Sequence, residues 1–208
     1  MARTKTSKAW MHEHVTDVYV RRAKQDGYRS RSAYKLVEIL AKDKLVRPGM
    51  TAVDLGAAPG GWSQVLAPLV GAKGRVIALD ILAMEPLRGV VLIRGDFSEE
   101  STLKLLEEQM GDRSIDLVVS DMAPNISGVG LVDQSRSIHL AELVLEFARG
   151  RLKPGGDLLV KVFQGAGLDE FRKQLAAAFA SVAVRKPKAS RDRSSEFYLL
   201  ARGKRQNS

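Results

Sequence analysis

Three glycines near residue 58 have the spacing of a turn that binds a small ligand. The apolar segment 51–55 runs into Gly56, Gly60 and Gly61, and a helix is predicted to follow. In such a turn the main chain approaches the ligand closely, and the helix start presents free N–H groups to an anionic group. The G-x-x-x-G-G spacing is not the dinucleotide pattern, and Pro59 lacks an N–H that a diphosphate would use. These residues therefore favour an adenosyl ligand without a diphosphate, with an ordinary tight connection as the alternative.

Acidic residues end three apolar segments in succession, at Asp80, Asp96 and Asp121. A carboxylate roughly twenty residues beyond the glycine turn is placed to accept both ribose hydroxyls, so Asp80 is the candidate for that contact. At the next strand end, Asp96 is placed to accept from an adenine amine, with Phe97 beside the ring. A single aspartate in such a place is more often a helix cap, but three in register indicate one ligand crevice.

Lys161 interrupts the otherwise apolar segment 158–163. That segment is typical of a fully buried strand, where an ammonium group is costly unless it is paired. The pattern therefore marks Lys161 as a functional candidate. A structural lysine that extends its ammonium to solvent is the alternative.

The elements that must position these side chains follow from the alternation of apolar and amphipathic segments. We predict an α/β, Rossmann-like fold with a mostly parallel seven-stranded sheet and helices on both faces. The last two strands leave no room for a helix between them, so the last strand is predicted to be antiparallel and to begin at the ligand edge. The predicted strands are 51–55, 75–80, 90–94, 115–120, 157–163, 181–185 and 196–201, and the predicted helices are near 30–42, 62–70, 99–110, 134–151 and 168–180.

The composition predicts one domain covering residues 1–208. The chain has no cysteine, which excludes disulfides and thiolate metal sites, and its three histidines do not suggest a metal site, so we expect no metal. No apolar run approaches the roughly 18 residues of a membrane span, and the polar N-terminus does not resemble an export signal. We expect a cytoplasmic monomer without membrane contact, with disordered basic tails at about 1–8 and 203–208.

Positive charge is concentrated at both ends of the chain. The net charge is +9; residues 1–35 carry nine Lys and Arg against three acidic residues, and residues 185–208 carry eight against two. This distribution predicts a polyanionic partner held by the two ends, with solubilising tails as the alternative. The candidate contacts are Arg21, Arg22, Lys24, Arg29 and Arg31 in one cluster and Arg185, Lys186, Lys188, Arg191 and Arg193 in the other.

Five short motifs together resemble one enzyme family. They are 29–36 (RSRSAYKL), 54–62 (DLGAAPGGW), 120–125 (SDMAPN), 153–156 (KPGG) and 160–165 (VKVFQG). With the sequence around them, from residue 10 to 202, they are similar to the FtsJ-like ribosomal RNA 2'-O-ribose methyltransferases. The resemblance implies S-adenosylmethionine as methyl donor and the Rossmann-like fold of S-adenosylmethionine-dependent methyltransferases. It also implies a donor pocket lined by Gly60, Trp62, Asp80, Asp96 and Asp121.

The family's Lys-Asp-Lys-Glu tetrad is matched by Lys35, Asp121, Lys161 and Glu196. By this resemblance Lys161 accepts a proton from the ribose hydroxyl, Asp121 orients Lys161, and Lys35 and Glu196 position the ribose. Such groups are needed because a hydroxyl is a poor nucleophile that must be aligned with the methyl group and lose its proton. The implied reaction methylates the 2'-hydroxyl of a uridine in 23S rRNA, in the assembled large ribosomal subunit.

The partner implied by the resemblance is RNA, and the basic clusters are consistent with phosphate contacts that do not read sequence. Related enzymes with the same tetrad act on tRNA or mRNA caps, and the absence of an extra domain favours the ribosomal member. A non-catalytic RNA-binding ribosome assembly factor is the alternative from another class. The intact tetrad favours the enzyme over that alternative.

Overall fold

Seven apolar segments of the chain form strands, and the structure, a computed structural model, describes residues 17–124, 130–191 and 194–206. The strands are β1 (Thr51–Leu55), β2 (Arg75–Asp80), β3 (Val90–Arg94), β4 (Ile115–Ser120), β5 (Leu152–Phe163), β6 (Phe179–Arg185) and β7 (Glu196–Lys204). They pair in the spatial order β3-β2-β1-β4-β5-β7-β6. The first five strands in this spatial order, β3-β2-β1-β4-β5, are parallel to one another, whereas β7 is antiparallel to both β5 and β6.

Six helices lie within the described residues and connect or precede these strands. They are α1 (Val18–Gln25), α2 (Ala33–Asp43), α3 (Gly61–Val70), α4 (Glu100–Met110), α5 (Gly130–Arg151) and α6 (Leu168–Ala178). The predicted α/β, Rossmann-like sheet with an antiparallel last strand is therefore confirmed.

Two apolar layers cover the sheet, because successive strand residues face opposite sides. In β1, Val53 and Leu55 belong to the layer packed by α4, α5 and α6, whereas Ala52 belongs to the layer packed by α2 and α3. Because helices cover both faces of the sheet, a ligand can approach the central strands at their ends. The carboxyl ends of the parallel strands form the edge at which such sheets bind ligands.

One helix was not predicted, namely α1. Its N-terminus is capped by Asp17, whose carboxylate accepts a hydrogen bond from the Tyr19 N–H at 2.9 Å. Only Val20 and Ala23 of this helix are buried. Two buried positions give too little apolar periodicity to identify a helix from sequence.

The strand predicted at 157–163 begins earlier, at Leu152, directly after α5. Leu152 pairs with Ile115 and Asp157 pairs with Leu117, so residues 153–156 bulge from β5 opposite one residue of β4. The other end of the sheet also extends further than predicted. Gly203 and Lys204, which we expected in a disordered tail, belong to β7, and the Lys204 ammonium donates to the Leu152 carbonyl at 2.8 Å. The expected tail at 1–8 lies outside the described residues.

Candidate active site

The glycine turn lies between β1 and α3, at the carboxyl edge of the sheet. Gly56 and Gly60 have φ angles of +72° and +105°, a region that side chains disfavour. A Cβ on Gly60 would lie 2.7 Å from Leu87 Cδ1, and one on Gly56 would collide with the Met122 side chain. The turn therefore needs glycine at both positions, because of its backbone conformation and because the side chains of Leu87 and Met122 lie against it.

The sheet order places the three aspartates on either side of this turn. Asp96 follows β3, Asp80 ends β2, and Asp121 follows β4 on the far side of β1. Asp80 is 9% exposed, and its two carboxylate oxygens accept from the Ala58 and Leu82 N–H groups, each at 2.8 Å. Each of these oxygens keeps a further lone pair for a ligand hydroxyl.

Asp96 is half-buried, whereas the next residue, Phe97, is buried. One Asp96 oxygen accepts from the N–H and the hydroxyl of Ser98, at 2.9 and 2.7 Å. Phe97, which we expected beside an adenine ring, is buried, and its ring packs edge-on against Phe147 with centroids 6.4 Å apart. Phe97 is therefore part of the core, and its contact with an adenine ring stays a prediction.

Four charged side chains from distant parts of the sequence form one cluster beside the turn. Lys161 Nζ lies 3.2 Å from Asp121 Oδ1, and Lys35 Nζ lies 3.8 Å from the same oxygen and 2.6 Å from Glu196 Oε1. Lys161 Nζ also donates to the Asp121 carbonyl. The order Lys161, Asp121, Lys35, Glu196 alternates in charge, so each ammonium is paired, as burial of charge requires.

Three strands and one helix bring this cluster together. Asp121 follows β4, Lys161 lies two residues before the end of β5, and Glu196 is the first residue of the antiparallel β7. All three therefore lie at the edge of the sheet where the parallel strands have their carboxyl ends. Glu196 pairs with Phe163 in the strand register, two residues beyond Lys161. Lys35 lies in the first turn of α2. The structure therefore brings together all four residues that the resemblance selected.

Tyr198 joins the cluster, although the sequence did not indicate it. Its hydroxyl donates to Asp121 Oδ1 at 2.6 Å, and the residue is completely buried. Burial and the Asp121 charge raise the pKa of Tyr198 well above its ordinary value. A tyrosine in an apolar strand needs a partner for its hydroxyl, but sequence alone does not identify that partner.

Trp62, predicted to line the donor pocket, is 2% exposed and lies beneath the cluster. Its ring packs against Tyr198 with centroids 5.6 Å apart, and its indole N–H donates to the Ser32 carbonyl at 2.9 Å. Trp62 thus links the glycine turn to the start of α2, which carries Lys35.

Comparison with known proteins assigns this chain to a family. Residues 28–204 match the sequence model of the FtsJ-like methyltransferases, which is most of the chain. The chain belongs to this family. It is therefore a methyltransferase, and the family implies S-adenosylmethionine as methyl donor.

Relatives of this FtsJ-like methyltransferase are similar over their whole length. A protein of Nitrosospira multiformis named ribosomal RNA large subunit methyltransferase E is 61% identical over 205 residues, covering 99% of this chain and 100% of the relative. A protein of the same name from Pseudomonas aeruginosa is 56% identical over 203 residues, covering 98% of each. A crystal structure of a ribosomal RNA methyltransferase from Plasmodium falciparum superimposes with a TM-score of 0.78 at 28% identity, covering 85% of this chain and 98% of that one.

The two lysines of the methyltransferase cluster determine the charge of Glu196. Burial would raise the pKa of this carboxyl, but the charges of Lys35 and Lys161 and the hydrogen bond from Lys35 outweigh burial and hold it below its ordinary value. Glu196 is therefore ionised at neutral pH and keeps its pairing with Lys35.

Asp54, in β1 of the methyltransferase, is a buried acid that the sequence analysis did not single out. It is 1% exposed and accepts a hydrogen bond from the Ser63 hydroxyl at 2.7 Å. Burial raises the pKa of Asp54 to about 7, and the negative charges of Asp121 and Asp80 add to the increase. This carboxyl therefore titrates near neutral pH.

Several cations predicted to contact phosphate are bonded within the methyltransferase. The Arg29 guanidinium donates to the carbonyls of Glu85 and Pro86, each at 2.7 Å, and so braces the loop after β2. Arg185 forms a two-point ion pair with Asp43, at 2.7 and 2.5 Å.

The loop between β6 and β7 is bonded to the segment between the two N-terminal helices and to α2. Arg31 pairs with Asp17 at 2.5 Å and donates to the Ala189 carbonyl at 2.6 Å. The Glu38 carboxylate accepts from the N–H groups of Lys188 and Ala189, at 2.6 and 3.0 Å. These contacts fix the loop that leads to Glu196, and Arg193 lies outside the described residues.

Two classes of feature are not found in the described ranges 17–124, 130–191 and 194–206. No group of three His, Asp or Glu side chains there is arranged to hold a metal ion. No helix there is long and apolar enough to cross a membrane.

Proposed function

We propose that this chain transfers a methyl group from S-adenosylmethionine to the ribose 2'-hydroxyl of a uridine in 23S rRNA, in the assembled large ribosomal subunit. The observation that carries the proposal is the cluster of Lys161, Asp121, Lys35 and Glu196 beside the glycine turn. The names of the relatives support ribosomal RNA of the large subunit as substrate.

The residues at the carboxyl edge fit the donor. The glycine turn carries no side chain at Gly56, Gly60 or Gly61, and Pro59 leaves no amide there for a diphosphate. Beside the turn, each carboxylate oxygen of Asp80 accepts one backbone N–H and keeps a lone pair for a ligand hydroxyl. Asp80 holds the ribose hydroxyls, Asp96 the adenine amine, and Gly60, Trp62 and Asp121 complete the pocket. When bound, S-adenosylmethionine supplies a methyl group on a sulfonium sulfur, which keeps the bonding electron pair as the methyl group leaves.

Lys161 is the proton acceptor in this proposal. The ribose oxygen forms its new bond to the methyl carbon, and its proton passes to Lys161 Nζ, which must be neutral at that moment. Asp121 orients Lys161 through the 3.2 Å contact to its ammonium. Since the chain keeps Lys161 within an ordered ion-pair network, the nitrogen is held in one place for the proton transfer.

Lys35 and Glu196 position the ribose. Lys35 Nζ lies between two carboxylates, at 2.6 Å from Glu196 and 3.8 Å from Asp121. The second contact places the Lys35 ammonium beside Lys161, which shares Asp121 Oδ1 with it. Glu196 fixes Lys35 and remains available to accept a hydrogen bond from the ribose.

The same proposal includes RNA as the binding partner and the cytoplasm as the location. The basic ends hold RNA phosphates, and residues 1–208 act as one cytoplasmic methyltransferase domain that works as a monomer. The single sheet that runs through all described ranges supports one domain.

A methyl-transfer assay tests the proposal. Purified protein and donor with a radiolabelled methyl group would be incubated with large subunits that lack ribose methylation, free 23S rRNA, tRNA or capped mRNA. We expect label in the large subunit at one uridine ribose, located by nuclease mapping. Preferred labelling of tRNA or caps would overturn the substrate, and donor binding without transfer to any RNA would favour an assembly factor.

A further inference from the structure

One oxygen of Asp121 is shared by three side chains. Asp121 Oδ1 accepts the Tyr198 hydroxyl at 2.6 Å and lies 3.2 Å from Lys161 Nζ and 3.8 Å from Lys35 Nζ. The tyrosine contact is the shortest of the three. The orientation of this carboxylate is therefore defined by a neutral donor as well as by the two ammonium groups.

The sheet and the core fix the place of the Tyr198 hydroxyl. Tyr198 stands directly opposite Lys161 in the antiparallel register of β5 and β7. Its ring packs against Trp62 and lies under the Lys35 ammonium, 5.9 Å from ring centroid to Nζ. Because the side chain is completely buried, it has no room to turn its hydroxyl away from Asp121.

We propose that Tyr198 is a positioning residue for methyl transfer, whose hydroxyl holds Asp121 in the orientation that serves Lys161 and Lys35. The inference rests on the proposed function, in which Lys161 takes the proton. A hydrogen bond from a phenol also satisfies part of the carboxylate's charge. Asp121 consequently holds the proton on Lys161 less tightly than an unshared carboxylate would.

The hydroxyl acts as a donor throughout the working pH range. Burial, the charge of Asp121 and the hydrogen bond to it keep the pKa of Tyr198 well above its ordinary value. The phenol therefore stays protonated in mildly alkaline solution. It does not exchange protons with the substrate, and its contribution is confined to Asp121.

The test is Tyr198→Phe, which removes the hydroxyl and keeps the ring against Trp62. We expect kcat to fall about tenfold, the size of effect that follows from losing a hydrogen bond to a charged group. We also expect the acidic limb of the kcat profile to move to higher pH, since Asp121 then holds the Lys161 proton more strongly. Donor affinity, measured by calorimetry, should stay within about twofold of the wild type.

Tyr34→Phe is the matched control. Tyr34 is also buried, and its hydroxyl donates to Asp26 at 2.6 Å, the same distance as in the Tyr198 contact. Both variants should show a comparable decrease in thermal stability, but only Tyr198→Phe should change kcat and its pH profile. A purely structural role of Tyr198 would give the two variants the same profile as the wild type.

A second measurement covers the case in which Tyr198→Phe does not fold. Tyrosines of the Tyr34→Phe variant would be replaced by 3-fluorotyrosine, whose phenol is a stronger donor. The acidic limb should then move to lower pH, and an unmoved limb would overturn the proposal. Wild-type protein that methylates no RNA would instead overturn the proposed function, so the two failures are distinguishable.

Discussion

Lys161 and Tyr198 face each other across β5 and β7, and both contact the same oxygen of Asp121. An apolar strand pair thus carries a lysine and a tyrosine at one register position. This pairing places the lysine nitrogen where the carboxyl ends of the strands meet. The chemistry proposed for Lys161 depends on that position.

Lys161→Ala should reduce methyl transfer by at least about 10²-fold, the lower end of what a positioned acid or base contributes. Donor affinity should be nearly unchanged, because Lys161 acts on the hydroxyl. Single-turnover kinetics and calorimetry would measure the two effects separately. Lys153→Ala is the control, since Lys153 is a second β5 lysine paired with an aspartate, Asp116. Substantial turnover in Lys161→Ala would remove Lys161 as the base.

Asp80→Asn should weaken donor binding by about 1.5 to 3 kcal/mol, the value of hydrogen bonds to a charged group. The weakening should appear in the dissociation constant measured by calorimetry. Asp157→Asn is a suitable comparison, since Asp157 also accepts from a backbone amide, that of Gly203 at 2.9 Å, away from the glycine turn. Equal donor affinity in Asp80→Asn and the wild type would contradict the assignment of the ribose contact.

The basic residues should divide into structural and RNA-binding cations. Lys24→Gln combined with Lys188→Gln, two exposed positions, should weaken RNA binding. It should flatten the dependence on log salt by roughly 0.7 to 0.9 for each phosphate that the variant no longer neutralises. Arg185→Gln breaks the ion pair with Asp43 and should instead lower thermal stability at an unchanged slope. Filter binding at several salt concentrations measures this slope. An unchanged slope in the double variant would mean that other residues form the RNA-binding surface.

Asp54 should make stability depend on pH. Its pKa of about 7 in the folded protein exceeds that of an unfolded aspartate, about 3.9. The folded state therefore binds more protons between these values, and this contribution is present at low pH and is lost as pH rises from about 4 to about 7. Asp54→Asn removes the effect and should gain stability over the wild type across this window, by up to about 4 kcal/mol. Denaturant unfolding at pH 5 and pH 8 measures it, and a constant difference between the two proteins would refute it.

The strand segments and the charged cluster could be predicted from the sequence for different reasons, whereas the spatial order of the strands was not predicted. Apolar segments separated by helices define strands such as β1 and β4 almost to the residue, because burial on both faces leaves a continuous signal. The cluster was found through a resemblance, and the sheet edge explains why its members meet. Tyr198 was missed because its partner Asp121 is distant in the chain. The internal bonds of Arg29 and Arg185 were missed for the same reason, since a sequence shows a charge but not its neighbour.

The position of β7 has a consequence for how the protein matures. β7 is the last strand in the sequence but lies between β5 and β6, and it contributes Glu196 and Tyr198 to the cluster. A nascent chain that has emerged only as far as β6 carries Lys35, Asp121 and Lys161 but lacks the strand that completes their pairing. Catalytic competence should therefore arise late in synthesis, in the same step that gives β6 its hydrogen-bonding neighbour.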